Sequence, residues 1–403
     1  MKPYHSPAAV KSPAGRTAAA PSWTIDHPHI VLVLQGGGAL GAYQAGVYEA
    51  LHESGIEPHW IIGTSIGAIN GALIAGNESH NRLSRLQAFW KCVTQQPSAA
   101  LKTMEQWLRS LDAFSPAWEA FAHWQHNSQV VMQGIPKFFT PNPLSCMNPW
   151  LSLGVEKAAY YSTTPLRETL LELVDFEQLG AGDGGPTRLT VGAVNVRTGQ
   201  MRYFDSRREV LGVDHVLASG ALAPVFGAVR IDGDPYWDGG LYSNTPIEAV
   251  LDDKPRRHSL IFSAQMWKPH GPEPHSIWDI QGRIKDIQYA SRSDNHIERQ
   301  RQLHHLRHVI RELAMHIPEK LREDPAIQEL GAWGCSTVMH IVQLNAAPLP
   351  GQDQTRDIDF TAQSVELRYQ AGYADAMHAI QAQPWKSEQL DSLEGVFVHE
   401  VNP

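Results

Sequence analysis

Gly63-Thr64-Ser65-Ile66-Gly67 sets a hydroxyl between two glycines, and its neighbours give that hydroxyl a chemistry. The apolar run His59-Trp60-Ile61-Ile62 reads as a buried strand, and Ala68-Ile69-Asn70-Gly71-Ala72-Leu73-Ile74-Ala75 reads as a small-residue helix. Strand, G-x-S-x-G and helix together make a nucleophile elbow. A turn this tight strains its central residue, and glycine on either side, at Gly63 and Gly67, avoids a clash. The serine is thereby pushed out at the C-terminal edge of a sheet. Behind it lie the free N–H groups and positive dipole end of the helix. The five-residue pattern alone is common; its setting gives it weight.

A second glycine cluster lies upstream. Ile30-Val31-Leu32-Val33-Leu34 is a short apolar strand, followed by Gln35-Gly36-Gly37-Gly38-Ala39-Leu40-Gly41 and a helix from Ala42 to Leu51. Gly36, Gly38 and Gly41 formally satisfy G-x-G-x-x-G, the dinucleotide-binding fingerprint. That fingerprint needs an acidic residue at the tip of the next strand, about 20 residues on. Here the next strand runs straight into Gly63-Thr64-Ser65, and Glu57 precedes it rather than capping it. The nucleotide reading fails its context. The better expectation is an oxyanion hole drawn from the backbone of Gly36, Gly37 and Gly38, with the N–H of Ile66 as another donor. Such donors supply roughly 3–4 kcal/mol of transition-state stabilisation each.

A serine needs a base. The chain has 20 histidines, so a Ser-His-Asp triad survives a count, but none sits in an obvious strand-end or loop setting for one. The stronger candidate is Asp238, in Tyr236-Trp237-Asp238-Gly239-Gly240-Leu241, with Pro246 punctuating the chain downstream. Gly239 and Gly240 let the backbone turn closely beside the carboxylate. An Asp-Gly-Gly turn is ordinarily just a turn, and the local residues leave both readings open.

Taken together, the Gly36–Gly41 loop, the Gly63–Gly67 elbow and the Asp238-Gly239-Gly240 turn resemble the patatin-like lipid acyl hydrolases, in that family's order and at similar separations. Ala218-Ser219-Gly220-Ala221-Leu222-Ala223-Pro224-Val225-Phe226 is similar to the segment preceding the Asp-Gly-Gly turn there. The resemblance covers roughly residues 29 to 250. It implies a serine–aspartate dyad without histidine, Ser65 as nucleophile and Asp238 as base, and no cofactor or metal. Asp357-Ile358-Asp359-Phe360-Thr361-Ala362-Gln363-Ser364, with Arg368 and Gly372-Tyr373-Ala374-Asp375-Ala376, resembles the C-terminal extension of a bacterial subgroup. No function attaches to that extension from its residues; Ser364 reads as a helix cap. Some relatives carry a basic residue inside the glycine loop, where this chain has Ala39 and Leu40. That removes one argument for a phospholipid over a neutral ester.

An aspartate of ordinary pKa, near 3.9, is a poor base for a hydroxyl. Partial burial beside Trp237 and Tyr236 is expected to raise it. The chemistry implied is acyl transfer to Ser65, loss of the alcohol or lysolipid, and hydrolysis of the acyl-enzyme.

Composition bounds the rest. The 403 residues suffice for one large α/β domain with an appended C-terminal region. A net charge of −9 argues against nucleic acid as a partner. Cys92, Cys146 and Cys335, odd in number and far apart, suggest a reducing compartment and no disulfide framework. No Cys/His spacing suggests zinc. The organisation expected is a flexible tail over 1–28, a catalytic domain over 29–250 and a C-terminal extension over 251–403 that completes or packs on it. The tail lacks the apolar core of a secretory signal; Lys2, Lys11 and Arg16 before Asp26 leave an organellar presequence as an alternative. No run of 18 apolar residues exists, so a cytoplasmic protein with at most peripheral membrane contact is expected.

Two segments suit such contact. Residues 89–154 form a helical insertion holding Trp90, Trp107, Trp118, Trp124 and Trp150, together with the proline-flanked loop at Phe138-Phe139. The tryptophans read more simply as core, while the phenylalanine loop reads equally well as core or as an acyl-binding lid. The pattern from Ile277 to Leu321 is a long polar helix with eight Lys and Arg diluted by acids, and His304, His305 and His308 are expected at its surface. Thr187 to Phe204 reads as two strands turning at Arg197-Thr198-Gly199, with further buried strands at Ser259–Trp267 and Thr337–Leu344. The fold expected is a three-layer α/β/α sandwich with a central, largely parallel or mixed sheet and a helical C-terminal extension. Three functions fit: a serine lipid hydrolase first, an acyltransferase using the same acyl-serine second, and a catalytically silent lipid-binding protein third. Oligomeric state is not legible.

Overall fold

The structure is a computed structural model that describes residues 28–95, 125, 128–148, 150–180, 182, 185–349, 352, 354–386 and 393–400, with the backbone alone at 146 and 291–294. The tail assigned to 1–28, except for its last residue, and Trp107, Trp118 and Trp124 lie outside the described residues.

Alternation inside the apolar strands decides the architecture. Along β1 (His29–Leu34), Leu32 and Leu34 enter one buried cluster while Val31 and Val33 enter another. A strand apolar on both faces must be covered on both. The longer helices, in chain order, are α1 (Ala42–Glu53), α2 (Ile66–Ala75), α3 (Ser79–Val93), α4 (Thr164–Leu173), α5 (Val213–Ser219), α6 (Ile277–His316) and α7 (Ala362–Ala382). Side chains of α1 to α5 and α7 join the cluster on the first face of the sheet. Ile297 of α6 and the short helix Glu248–Leu251 join the cluster on the second. The result is a three-layer α/β/α sandwich.

The other strands are β2 (Trp60–Gly63), β5 (Arg188–Asn195), β6 (Met201–Asp205), β7 (Val229–Ile231), β8 (Asp234–Asp238), β9 (Ser259–Gln265), β10 (Met339–Asn345) and β11 (Val396–Glu400). They make one mixed sheet in the order β11–β10–β9–β1–β2–β5–β8–β7, with β6 paired to β5. Pairing is parallel from β11 through β5 and antiparallel beyond. A small separate pair joins β3 (Thr140–Pro141) to β4 (Tyr161–Ser162). The expected hairpin at 187–204 is β5 and β6, and the expected late strands are β9 and β10. β1 lies between β2 and β9, so the residues after 250 supply three strands of the central sheet.

Three local expectations change. Ser364 does not cap α7. Thr361 does, its side chain accepting the Ser364 N–H at 3.3 Å, while the Ser364 hydroxyl donates to Asp359. His304 and His308 are buried; only His305 is exposed. The sheet-facing stripe of α6 is Ile297, Gln300, His304 and His308, too polar for its hydrophobic pattern to reveal which face is buried. Trp150 lies 94 % exposed, whereas Trp90 is core.

α7 crosses α1 with almost no side chain between them. A Cβ on Gly46 would meet the Tyr369 carbonyl oxygen at 1.9 Å, and one on Gly372 would meet that of Tyr43 at 1.9 Å. Beside this crossing the Tyr43 hydroxyl donates to Asp375 at 2.7 Å. Gly372→Val must push the helices apart and is expected to lower stability by about 1–3 kcal/mol, read from the denaturant midpoint. An unchanged midpoint would mean that α7 is free to shift off α1.

Candidate active site

β2 ends at Gly63 and α2 begins at Ile66, leaving Thr64 and Ser65 to make the turn. Ser65 sits at φ 57, ψ −124, in the positive-φ half of the backbone map that side chains avoid. Both flanking glycines are required by space. A Cβ on Gly63 would lie 2.3 Å from the Gly67 carbonyl oxygen, and one on Gly67 would lie 2.2 Å from that of Leu34. The Ser65 N–H donates to the carbonyl and the hydroxyl oxygen of Ser219, each at 3.1 Å. The Ser219 hydroxyl is fixed in turn by donating to Gly192 at 2.7 Å.

The glycine loop leaves the end of β1 beside this turn. Gln35 is wholly buried, and its side chain accepts the N–H groups of Met266 and Trp267 and donates to Thr245 at 2.7 Å. Gly36 is not a free donor, contrary to expectation: its N–H goes to the Asn244 carbonyl at 3.1 Å. Its own carbonyl accepts from the Asn244 side chain at 3.1 Å and the Trp267 indole at 2.7 Å. Among the described residues, the N–H groups of Gly37, Gly38 and Ile66 find no acceptor. All three residues border the same cavity as Ser65.

Asp238 closes β8. Burial is complete rather than partial, with 2 % of the residue exposed. Its carboxylate accepts the Gly240 N–H at 2.7 Å and has the Ser65 side chain as its polar neighbour in the cavity. Desolvation outweighs both and pushes the carboxyl up to about 7. Gly239 lets this turn lie against β5, since a Cβ there would meet the Gly192 carbonyl at 2.4 Å.

The cavity holding Ser65 and Asp238 measures about 300 Å³. Ile69, Phe138, Phe139, Leu166, Phe226 and Phe360 give it apolar walls, and no histidine lines it among the described residues. The Phe138-Phe139 loop is thus core and cavity wall at once. Phe138 and Phe139 pack at a tilt against Phe226, and Phe138 also meets Phe360. A larger cavity of about 630 Å³, beside Leu40, Arg283, Arg356 and Arg368, reaches neither Ser65 nor Asp238. Sequence reasoning missed Gln35, Asn244, Trp267 and Asp357 as supports of the loop. Asn244 and Trp267 bond to Gly36 across 208 and 231 residues, a separation that no local pattern encodes.

The sequence matches the family model of the patatin-like phospholipases over residues 32–251, more than half of its length. A second model, described as patatin phospholipase, matches residues 287–391. The chain belongs to the patatin-like phospholipase family. Among relatives, patatin-like phospholipase domain-containing protein 7 of Rattus norvegicus is 37 % identical over 101 residues, 25 % of this chain and 7 % of that protein. Lysophospholipase nte1 of Aspergillus terreus is 64 % identical over 44 residues, 11 % of this chain and 3 % of its own. These matches span well under a tenth of either relative. VipD from Legionella pneumophila aligns over 88 % of this chain and 67 % of its own, at 14 % identity and a TM-score of 0.36, too low to add to the fold argument. Among the described residues of this patatin-like phospholipase, no helix is long and apolar enough to cross a membrane.

The raised pKa of Asp238 has a cost in stability. Its folded value, about 7, lies above its ordinary 3.8, so the folded state holds the proton more tightly than the unfolded chain does. That contribution is fully present below about pH 3.8 and is lost as pH rises through about 7. Asp238→Asn is therefore expected to gain on wild type by about 2–4 kcal/mol at pH 8 and by less at pH 5. Equal differences at the two pH values, measured by thermal unfolding, would show that the buried charge carries no such penalty.

Proposed function

We propose that this protein is a serine acyl hydrolase of lipid esters, with Ser65 as nucleophile, Asp238 as base and the N–H groups of Gly37, Gly38 and Ile66 as oxyanion hole. The observation that carries this reading is the placing of a strained Ser65 beside a buried carboxylate whose pKa is pushed up to about 7, in one apolar cavity. At that pKa the carboxylate is matched to proton transfer near neutral pH, as an ordinary aspartate is not.

Ser65 Oγ attacks the ester carbonyl carbon as its proton passes to Asp238. The oxygen left negative by the attack lies against the donors at the start of α2 and in the glycine loop, where each is worth roughly 3–4 kcal/mol. Collapse breaks the ester bond, and the departing alcohol takes the proton from Asp238. Water then attacks the acyl-enzyme, Asp238 accepts its proton, and the second collapse frees the acid and returns that proton to Ser65. The phenylalanine-rich walls suit an acyl chain, and the neutral Ala39 and Leu40 favour no headgroup charge. Exposed Met132, Met147 and Trp150, on the segment that also carries Val130 and Phe138 into the cavity, suit contact with the lipid surface that supplies the ester.

A fluorophosphonate probe should form one adduct, on Ser65, located by peptide mass spectrometry. Asp238→Asn should remain folded and lose at least about 10³-fold in kcat/KM. Turnover kept in that variant would point to another base. In wild type, kcat/KM should climb as pH rises through about 7 and level off above it, because the base acts deprotonated. A profile already flat from pH 5 would contradict the assignment of Asp238.

A further inference from the structure

Donors that must stay unbonded to receive an oxyanion cannot anchor the loop that carries them. Gly37 and Gly38 also lack side chains, so the loop has to be fixed from outside. Gly36 is held by Asn244 and Trp267, but the part of the loop that follows is held by the segment 356–359, near the chain's far end.

The Asp357 carbonyl accepts the Ala39 N–H at 2.8 Å. Gly38, at φ 56, presses so closely on this segment that a Cβ would meet the same carbonyl oxygen at 2.3 Å. The segment is itself clamped from two helices. Lys285 of α6 donates to the Asp357 carboxylate at 2.6 Å and to the Gln354 carbonyl at 2.8 Å. Arg368 of α7, buried, bridges both ends: one nitrogen donates to the Asp359 carbonyl at 2.8 Å, another to that of Arg356 at 2.9 Å. Arg356 pairs with Asp286 of α6 and lays its guanidinium 5.0 Å from the ring centre of Trp267, the side chain that holds Gly36. Ile358 and Phe360, within and just after the segment, face the cavity.

We propose that Lys285 and Arg368 are positioning residues for the oxyanion donors, acting through the Asp357 carbonyl on Gly38 and Ala39. This rests on the acyl-hydrolase reading above. It gives the C-terminal part of the chain a share in catalysis without a group that touches substrate. The donors gain their place from a strap that the family's catalytic motifs do not include.

The test measures kcat and KM on p-nitrophenyl butyrate, with the thermal midpoint, for the full chain carrying Lys285→Met, Lys285→Arg or Arg368→Lys. Fluorophosphonate labelling of wild-type Ser65 comes first. Its absence would sink the underlying reading and this proposal with it, an outcome distinct from what the variants report. Displacing oxyanion donors by a fraction of an ångström should lower kcat about 10- to 100-fold in Lys285→Met, with KM within about twofold and the midpoint held. Lys285→Arg keeps a cation within reach of Asp357 and should restore most of the rate. Arg368→Lys can serve only one of the two carbonyls and should fall between. Lys285 is partly exposed, so its variants carry the test even where Arg368→Lys fails to fold. A folded Lys285→Met with wild-type kcat, or with a loss confined to KM, overturns the proposal.

Discussion

The backbone of Ser65 is the constraint around which this molecule is arranged. A side-chain-bearing residue at φ 57 costs about 1–3 kcal/mol, and it persists only where its surroundings leave no alternative. Here the surroundings are the ends of parallel strands. The Leu34 carbonyl lies under Gly67, Gly67 lies over Gly63, and Ser219 takes up the Ser65 N–H. The first of these contacts needs β1 and β2 side by side in parallel register, ending together at Leu34 and Gly63. The pairing that strains the serine also brings the glycine loop beside it.

A second cost is electrostatic. Asp238 ends an antiparallel strand on the far side of β5, where the chain could have placed it in solvent; instead it is enclosed, and only the Gly240 N–H and the Ser65 side chain offset the loss of water. Strain at one residue and desolvation at its partner are both losses for the fold. They are offset by the apolar clusters on the two faces of the sheet.

What the sequence disclosed follows the range of the interactions involved. The elbow was legible because its requirement is local: a serine pinned between glycines, after an apolar strand and before a small-residue helix. Buried strands were legible as apolar runs, including β9 and β10. Gly36 was misjudged as a donor because its acceptor, Asn244, lies on the other side of the sequence. His304 and His308 were misjudged because the buried stripe of α6 carries polar side chains, so periodicity points nowhere. The cap of α7 was shifted by one turn because Thr361 and Ser364 are both able to fill that role, and the hydroxyl of Ser364 is taken by Asp359.

The place of β9 has a consequence for how the chain can be divided. β9 lies beyond residue 251, where the family match ends, yet it is the neighbour of β1. A chain cut at that boundary would bare one whole side of β1, a row of N–H and C=O groups on a strand apolar above and below. Such a row is a template for another chain, and fragments bearing it associate edge to edge. The half that holds Ser65 and Asp238 has this edge covered by a strand synthesised after it.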